Sequence, residues 1–255
     1  MKTLFLAWQN HNTRTWYPVG RLTRDTRGYR FLYTRGVEAA KKEGGFEALP
    51  SFPDLEKAYE SEELFPLFAN RVLSRSRPDY QTFVSWLGLS SEQGADPLEL
   101  LERSGGQRVT DSLEVFPVPR KVSPHEYYLW FFVHGLRHMT PESINRANHL
   151  QTGERLLVAH DFQNPSDPNA LILRTAELEP GDMHLVGFCP RYLFADTFDS
   201  MVKDHRLPEI VIEQVNLPPA PIRFRLLCRA RMFSQEPPFS GEMFQPLVAD
   251  FVALP

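Results

Sequence analysis

The chain has 255 residues, of which 42% are hydrophobic and 24% are charged, and its formal net charge is −4. This length allows one large domain or two domains of ordinary size, and the composition is that of a globular protein. The negative net charge argues against broad, non-specific binding of polyanions, because no strong positive field surrounds the molecule.

Phenylalanine and proline depart from average usage, with 19 and 22 copies, and predict a β-rich fold with many turns and an aromatic core. Cys189 and Cys228 stand in apolar contexts without a close partner, so we expect reduced core residues and no zinc site. No apolar run approaches the ~20 residues that cross a bilayer. The N-terminal residues lack a long apolar segment with a cleavage site, so the sequence predicts a cytoplasmic protein.

The first 118 residues predict a β-meander that is interrupted by helices. Short apolar runs indicate the strands, and residues 25–28 (Asp-Thr-Arg-Gly) supply a turn between two of them. The predicted strands occupy residues 3–8, 16–22, 29–33 and 112–118.

Between the third and fourth of these strands the pattern becomes helical. Apolar residues at helical spacing predict helices over residues 64–73 and from Pro78 onward. A third helix is predicted to begin at Asp96, where a capping residue precedes a proline. Residues 35–60 contain Gly44-Gly45 and two prolines, and are therefore predicted to lack a regular element.

Five motifs in this half follow one another in a recognisable order. They are Val19-Gly20-Arg21-Leu22, Tyr29-Arg30-Phe31, Leu64-Phe65-Pro66-Leu67-Phe68-Ala69-Asn70, Asp96-Pro97-Leu98-Glu99-Leu100-Leu101 and Gly105-Gly106. Their order resembles the N-terminal subdomain of HipA-type kinases, over residues 1–118. In that family the subdomain precedes the kinase core, and in some systems it is a separate antitoxin. Here residues 73–76 replace the usual Pro-Glu-Gly after the Phe-x-Asn motif, and no kinase core follows.

The second half is organised around residues 150–199. Residues 164–169 (Asn-Pro-Ser-Asp-Pro-Asn) predict a rigid turn, because Asn and Asp bond their own backbone and proline presets φ. Pro190 suits the first turn of a helix. Apolar and alternating runs predict strands over residues 155–159, 170–174 and 184–188.

Four features of this half occur together. They are Gly135-Leu136-Arg137, Thr152-Gly153-Glu154, the string Asn164-Pro165-x-Asp167-x-Asn169-Ala170, and Val186-Gly187 followed by Arg191. Over residues 124–235 they resemble the HIRAN domain, a small β-rich module of DNA-repair remodellers and bacterial proteins; the Asn-Pro-x-Asp-x-Asn-Ala string is the specific part. HIRAN domains bind DNA, and those of remodellers bind single-stranded ends. The resemblance implies a barrel-like module with a nucleic-acid pocket.

The resemblance also places one set of residues around that pocket: Arg137, His138, Asn164, Asp167, Asn169 and Arg191. Arg and Asn can contact a phosphate or a base edge, and an acid can accept from a terminal hydroxyl. Asn164 and Asp167 are equally suited to building the turn.

The chain departs from the DNA-binding remodeller domain at three positions in this region. Where that domain has aromatic side chains, this chain has His138, Met139 and Ser166. Stacking of a base on an aromatic face is worth ~1–3 kcal/mol, so these departures predict weaker binding. His138 and Phe188 are the residues that would partly replace the missing rings.

A basic stripe lies outside both resemblances, in residues 221–231. Four arginines alternate there with apolar residues once a shift at Leu226-Leu227 is allowed. At a sheet edge such a strand would follow a phosphate backbone, with Arg229 and Arg231 as contacts. Alternatively its arginines pair with surplus carboxylates. The stripe consists of Arg223, Arg225, Arg229 and Arg231.

No cluster predicts catalysis or metal binding. His134 and His138 have the spacing of metal ligands on a helix, but residues 130–133 predict a strand that enters a turn at Gly135. This spacing does not bring two side chains together on a strand. Nucleophilic triads and phosphate-binding glycine loops are absent. The sequence therefore predicts a protein that is not an enzyme and that uses no metal or cofactor.

These patterns together predict an α+β protein with two modules. Residues 1–118 form a HipA-N-like β-meander with helices, residues 124–235 a HIRAN-like small β-barrel with helices, and residues 236–255 an extended tail. The predicted function is that of an antitoxin-like regulator, which binds a HipA-type kinase through its first half and DNA ends or single strands through its second. The alternative is a stand-alone protein of repair or phage defence that binds DNA ends or single strands.

Overall fold

A computed structural model of the chain describes residues 1–177 and 180–248. The described chain is an α+β protein with two antiparallel sheets, and it divides into two compact units. The first unit contains Met1–Gln81, Ser90–Val118 and the segment that begins at Phe239. The second contains Thr82–Leu89 and Pro119–Pro238. The two predicted family boundaries stay predictions, and residues 249–255 of the predicted tail lie outside the described residues.

The first unit is built on a five-stranded sheet with the order β4-β3-β2-β1-β5. Its strands are β1 (Lys2–Gln9), β2 (Trp16–Asp25), β3 (Gly28–Tyr33), β4 (Tyr59–Ser61) and β5 (Leu113–Pro117). Its helices are α1 (Gly36–Gly44), α2 (Pro66–Ala69), α4 (Ser91–Gly94) and α5 (Pro97–Ser104), and α3 (Tyr80–Trp86) begins in this unit and continues into the second.

An aromatic core lies against one face of this sheet. Phe31 on β3 stacks on Phe52 with ring centroids 4.0 Å apart, and both side chains are fully buried. The buried Tyr33 hydroxyl donates to the carbonyl of Phe52 and accepts from the backbone N–H of Leu49, at 2.7 and 2.8 Å. Because its hydroxyl is satisfied, Tyr33 adds apolar area to the core without the cost of an unpaired polar group. The prediction of an aromatic core is confirmed.

The segment 239–248 packs on the same unit. The Phe244 ring lies 5.0 Å from that of Phe5 on β1, and Phe239 is 1% exposed. The backbone N–H of Leu247 donates to the carbonyl of Tyr33 at 2.9 Å. These contacts bury aromatic side chains on the face of β1 that carries Phe5.

The meander of β1, β2 and β3 confirms the three strands predicted at the start of the chain. The predicted helix start at Asp96 is also confirmed. The Asp96 carboxylate accepts from the backbone N–H of Leu98 at 2.9 Å and pairs with both terminal nitrogens of Arg24. A capping residue that also holds a bidentate ion pair ties α5 to β2.

Two predictions for the first unit are wrong. Residues 35–60 contain α1 and β4, although we expected no regular element there. Gly44-Gly45 ends α1 and does not prevent it, because Gly45 adopts the left-handed conformation that terminates helices (φ 67°). The helix predicted over residues 64–73 is restricted to α2, one turn that begins after the extended residue Phe65.

The second unit is built on a seven-stranded sheet with the order β10-β9-β8-β11-β12-β7-β6. Its strands are β6 (Arg120–Ser123), β7 (Glu126–Phe132), β8 (Arg155–His160), β9 (Leu171–Thr175), β10 (Leu185–Phe188), β11 (Glu209–Val215) and β12 (Leu226–Phe233). Its remaining helices are α6 (Pro141–Asn148) and α7 (Phe194–Asp204), with 3-10 turns at Leu136–His138, Arg191–Leu193 and Ile222–Phe224.

A single bridge joins two strands that lie far apart in this sheet. His134, just after β7, exchanges backbone hydrogen bonds of 2.9 and 2.8 Å with Phe188 on β10. Four strands separate β7 from β10 in the sheet order, so the sheet curls until these two strands meet. The second unit is therefore a curled sheet, which agrees with the predicted small barrel in its general form.

The strand predicted from residue 221 begins later than expected. Ile222–Phe224 is a 3-10 turn, and β12 starts at Leu226. Pro221 provides the extended residue before this turn, with φ −55° and ψ 144°. Arg223 and Arg225 therefore lie outside the strand, and the buried Arg225 donates to the carbonyl of Ala220.

None of the helices within the described ranges has both the length and the apolar character needed to cross a bilayer.

Candidate functional site

Residues 161–170, which we call the Asn-Pro turn, connect β8 to β9. The Asn164 side-chain oxygen accepts from the backbone N–H groups of Ser166 and Asp167, both at 3.0 Å. Its side-chain amide donates to the Asp161 carboxylate, also at 3.0 Å. The sequence left two roles open for Asn164, which are building the turn and contacting a ligand. These contacts describe the first role, because both the oxygen and the nitrogen of the side-chain amide are hydrogen-bonded within the turn.

Asp167 combines a turn contact with an ion pair. One carboxylate oxygen accepts from the backbone N–H of Asn169 at 3.0 Å, and the other lies 2.8 Å from Nε of Arg191. Arg191 also donates to the carbonyl of Ser166 at 3.4 Å. The pair is partly buried, with 15% of the Asp167 side chain and 28% of the Arg191 side chain exposed. Arg191 therefore fixes the turn Arg191–Leu193 against the Asn-Pro turn.

A close crossing of two backbones lies beside Arg191. Gly187 has φ 129°, and a Cβ there would lie 2.4 Å from the carbonyl oxygen of His134. The Phe188 ring covers Gly135, where an added Cβ would lie 2.9 Å from that ring. Gly135 itself adopts the left-handed conformation (φ 71°) and starts the turn Leu136–His138. Two glycines thus permit the turn that carries Arg137 and His138 to approach β10.

His134 does not add positive charge to this site. Burial lowers the pKa of His134 to about 4, and the positive charge of Arg191 acts in the same direction. His134 is therefore neutral near pH 7 and Asp167 neutralises Arg191, so the positive charge of the site comes from Arg137.

Arg137 and His138 are both exposed. Arg137 donates from Nε to Nε2 of His138 at 3.0 Å, which requires the neutral His138 ring to carry its proton on Nδ1. The terminal nitrogens Nη1 and Nη2 of Arg137 make no hydrogen bond with any residue that the structure describes. Asn169 is likewise exposed, and its side chain has no partner among those residues. These are the polar groups of the site that a ligand can reach.

Arg229 and Arg231 lie on another part of the sheet. Their strand β12 is paired on both sides, with β11 and β7, so it is not the edge strand that backbone tracking would need. Nε of Arg229 lies 3.1 Å from Glu213, and Nε of Arg231 lies 2.7 Å from Glu126. The structure thus brings these arginines to carboxylates, which is the alternative that the sequence left open. Their role in nucleic-acid binding stays a prediction.

Sequence reasoning missed four aromatic rings beside the Asn-Pro turn, which we call the ring row: Phe162, His160, Phe194 and Phe198. Phe162 is 79% exposed, although phenylalanine is mostly buried in globular proteins. Its ring lies 4.0 Å from that of His160. A phenylalanine inside a run of turn-forming residues was the available signal, since no apolar periodicity explains it.

The described residues include no group of three side chains that could hold a metal ion. Cys189 and Cys228 are free and buried, and burial raises the pKa of both thiols. Neutral, buried thiols are weak nucleophiles and poor metal ligands.

Comparison with known proteins gives weak likenesses only. No family model matches the chain, and no curated protein matches it significantly. A crystal structure of the HIRAN domain of human HLTF aligns with 43% of this chain and 77% of its own, at 20% identity and a TM-score of 0.31. A crystal structure of a protein from Lactobacillus plantarum aligns with 42% of this chain and 98% of its own, at 13% identity and a TM-score of 0.30. Likeness at this level does not assign the chain to a family.

Proposed function

We propose that the second unit binds single-stranded nucleic acid, with a preference for DNA ends, at the Asn-Pro turn and at Arg137, whose turn packs against β10. Two observations support this. The Asn-Pro-x-Asp-x-Asn-Ala string resembles that of HIRAN domains, and its residues build a preorganised turn. The observation that carries the proposal is the exposed Arg137, whose terminal nitrogens lack partners among the described residues.

A phosphate is the ligand that suits Arg137 best. Nε is engaged by His138, so the guanidinium is held while its two terminal nitrogens remain for an anion. Two parallel N–H donors match two phosphate oxygens, and such charge-assisted bonds are about twice as strong as neutral ones. Asn169 offers an amide that can contact a base edge or a sugar.

Single strands and ends fit this site better than intact duplex. The exposed groups lie on a 3-10 turn of three residues and on a tight loop, and neither provides a helix or ribbon that fills the major groove. A splayed single strand can follow exposed turns of this kind because its bases and phosphates are not fixed in a duplex.

The test is fluorescence anisotropy of the full chain with labelled single strands, blunt duplexes and closed hairpins, at about 50 mM and about 200 mM salt. We expect single strands and blunt ends to bind more tightly than closed hairpins. Arg137→Ala is expected to weaken binding about tenfold or more, because a charge-assisted hydrogen bond contributes about 1.5–3 kcal/mol. Arg155→Ala is the matched control, since it removes the same charge from an exposed position at the far end of β8. Equal affinity for all three DNAs, or none at low salt, contradicts the proposal.

Asp167→Asn separates the two roles of Asp167. The amide oxygen still accepts from the backbone N–H of Asn169, so the turn is retained, but the charge that neutralises Arg191 is lost. If phosphate binds here, we expect tighter binding and a steeper salt dependence for this variant, together with a lower thermal stability because the partly buried ion pair with Arg191 is lost. Weaker binding by a variant that is still folded at the assay temperature would instead mean that the carboxylate itself contacts the ligand.

We also propose, from motif order alone, that the first unit associates with a HipA-type kinase. The motifs of that resemblance lie on β2, β3, α2 and α5, so they belong to one compact unit. The test is co-purification of the full chain with a HipA-type kinase encoded next to it, together with a growth assay of kinase toxicity. Association with reduced toxicity is expected. A chain that neither associates nor protects would leave the stand-alone role in repair or phage defence.

A further inference from the structure

We infer that the ring row stacks the bases of the strand whose phosphate is held at Arg137, an inference that rests on the proposed function. It assigns a binding surface on residues outside the HIRAN-like motifs. The departures at His138 and Ser166 predicted weaker stacking, with His138 and Phe188 as partial replacements, and the ring row supplies aromatic rings at a different place.

The four rings form a continuous series. The ring centroids of Phe162 and His160 are 4.0 Å apart, and those of His160 and Phe194 are 5.1 Å apart. Phe194 and Phe198, one turn apart on α7, are stacked at 5.6 Å with an angle of 22° between their planes. The series therefore runs from the Asn-Pro turn onto α7 without an interruption.

The inner rings are held in place before any ligand arrives. His160 ends β8, and its Nε2 donates to the carbonyl of Pro168 at 2.7 Å, across the Asn-Pro turn. A carbonyl only accepts, so this bond fixes both the tautomer and the plane of the ring. Phe194 follows the turn Arg191–Leu193, which the Asp167–Arg191 pair fixes against the Asn-Pro turn. A ring that is already ordered loses little entropy when a base stacks on it.

The outer rings are the ones that offer free faces. Phe162 is 79% exposed and Phe198 is 39% exposed. Every nucleobase has a π-face, so such rings bind single strands without strict sequence preference. Paired bases in a duplex do not expose these faces, which connects the ring row with the preference for single strands and ends.

A second copy of this chain is the competing occupant. Met201 and Val202 are also exposed, and with Phe198 they extend an apolar stripe along α7. A stripe of this kind suits an apolar partner surface. The hydrogen bond that fixes the His160 ring, and the position of Phe162 within the Asn-Pro turn where the proposed function places nucleic acid, favour the nucleic acid, since neither is needed for apolar contact.

The experiment compares a single-stranded oligothymidylate with an oligonucleotide of the same length in which abasic sites replace the bases. Both carry the same phosphates, so the ratio of their dissociation constants reports the contribution of the bases, and the ring variants separate stacking from contacts with base edges. We expect wild-type protein to prefer the base-containing strand about fivefold or more for each ring engaged. Phe162→Ala and Phe198→Ala should reduce this ratio while leaving affinity for the abasic strand unchanged. Phe162→Tyr should retain the ratio, and Phe162→Leu should reduce it as Phe162→Ala does.

The outcomes separate this inference from the proposed function. If the two strands bind with a ratio of dissociation constants near one, and Arg137→Ala still weakens the binding of both, the ring row does not stack bases but nucleic-acid binding is supported. If neither strand binds, both the inference about the ring row and the proposed function are wrong. A Phe198→Ala variant that changes the sedimentation of the free protein, with an unchanged ratio, assigns the surface to a second copy. Leu207→Ala, an exposed apolar position outside the row, is the control and should change neither quantity.

Discussion

Replacing Gly187 with alanine is expected to lower the free energy of unfolding of the second unit by about 3 kcal/mol or more. The added Cβ would lie 2.4 Å from the carbonyl oxygen of His134 and 2.5 Å from Cγ1 of Val133. Neither atom can move away easily, because His134 forms the backbone bridge to Phe188 and Val133 is buried. The φ of 129° adds backbone strain for any residue with a side chain. Urea denaturation measures the loss, and hydrogen exchange of β7 and β10 locates it.

Gly153→Ala is the matched control for this substitution. Gly153 also has a positive φ, of 89°, but an added Cβ there meets no atom within 4 Å. The control therefore carries backbone strain without the steric overlap. If both variants lose the same free energy of unfolding, the close approach to His134 does not contribute to the loss.

The parts of the fold that sequence predicts well are those whose chemistry is local. The Asn-Pro turn is an example, since the hydrogen bonds of Asn164 and Asp167 reach backbone groups only two or three residues away. The capping of α5 by Asp96 is another. In both cases the side chain and its partner lie within one short stretch, so residue type and spacing are sufficient to predict the contact.

Contacts between distant residues account for most of what sequence reasoning left open. The pairing of Asp167 with Arg191 and the bridge between His134 and Phe188 depend on how the sheet curls. The same holds for Arg229, whose partner Glu213 lies on the neighbouring strand β11. Alternation revealed that the arginines share a face, but only strand order decides which carboxylates stand beside them.

Some elements were missed although the sequence contained their signals. Thr140 before Pro141 is a capping residue with proline in the first turn, and the Thr140 hydroxyl indeed accepts from Ser143 at the start of α6. Residues 209–215 alternate in the way of a half-buried strand and form β11. Phe162 lies in a run of turn-forming residues, which was such a signal, but only the fold shows that His160, Phe194 and Phe198 continue the ring row.

A cluster of one arginine and two carboxylates holds α6 against the rest of the second unit. Arg146 donates to both oxygens of Asp182, from Nε at 2.9 Å and from Nη2 at 2.8 Å, and Nη2 also donates to Glu154 at 2.6 Å. Between 13% and 20% of each side chain is exposed. The hydrogen bonds from Arg146 hold the pKa of Asp182 below its ordinary value. Removing the arginine therefore leaves two partly buried carboxylates without their counter-ion.

Arg146→Met is accordingly expected to cost about 3 kcal/mol of unfolding free energy near pH 7, with most of the side-chain stem retained. A depressed folded-state pKa stabilises the protein above the unfolded pKa, and that contribution is lost as the pH falls through the folded value. The wild-type protein loses this stabilisation on acidification, whereas the variant lacks it at every pH. Urea denaturation should therefore show that the difference in unfolding free energy between the two proteins becomes smaller from about pH 7 to about pH 3. Arg77→Met, which breaks the exposed pair with Asp79, should change stability at neither pH. If this difference in unfolding free energy between the wild type and Arg146→Met stays constant with pH, Arg146 acts through packing and not through its charge.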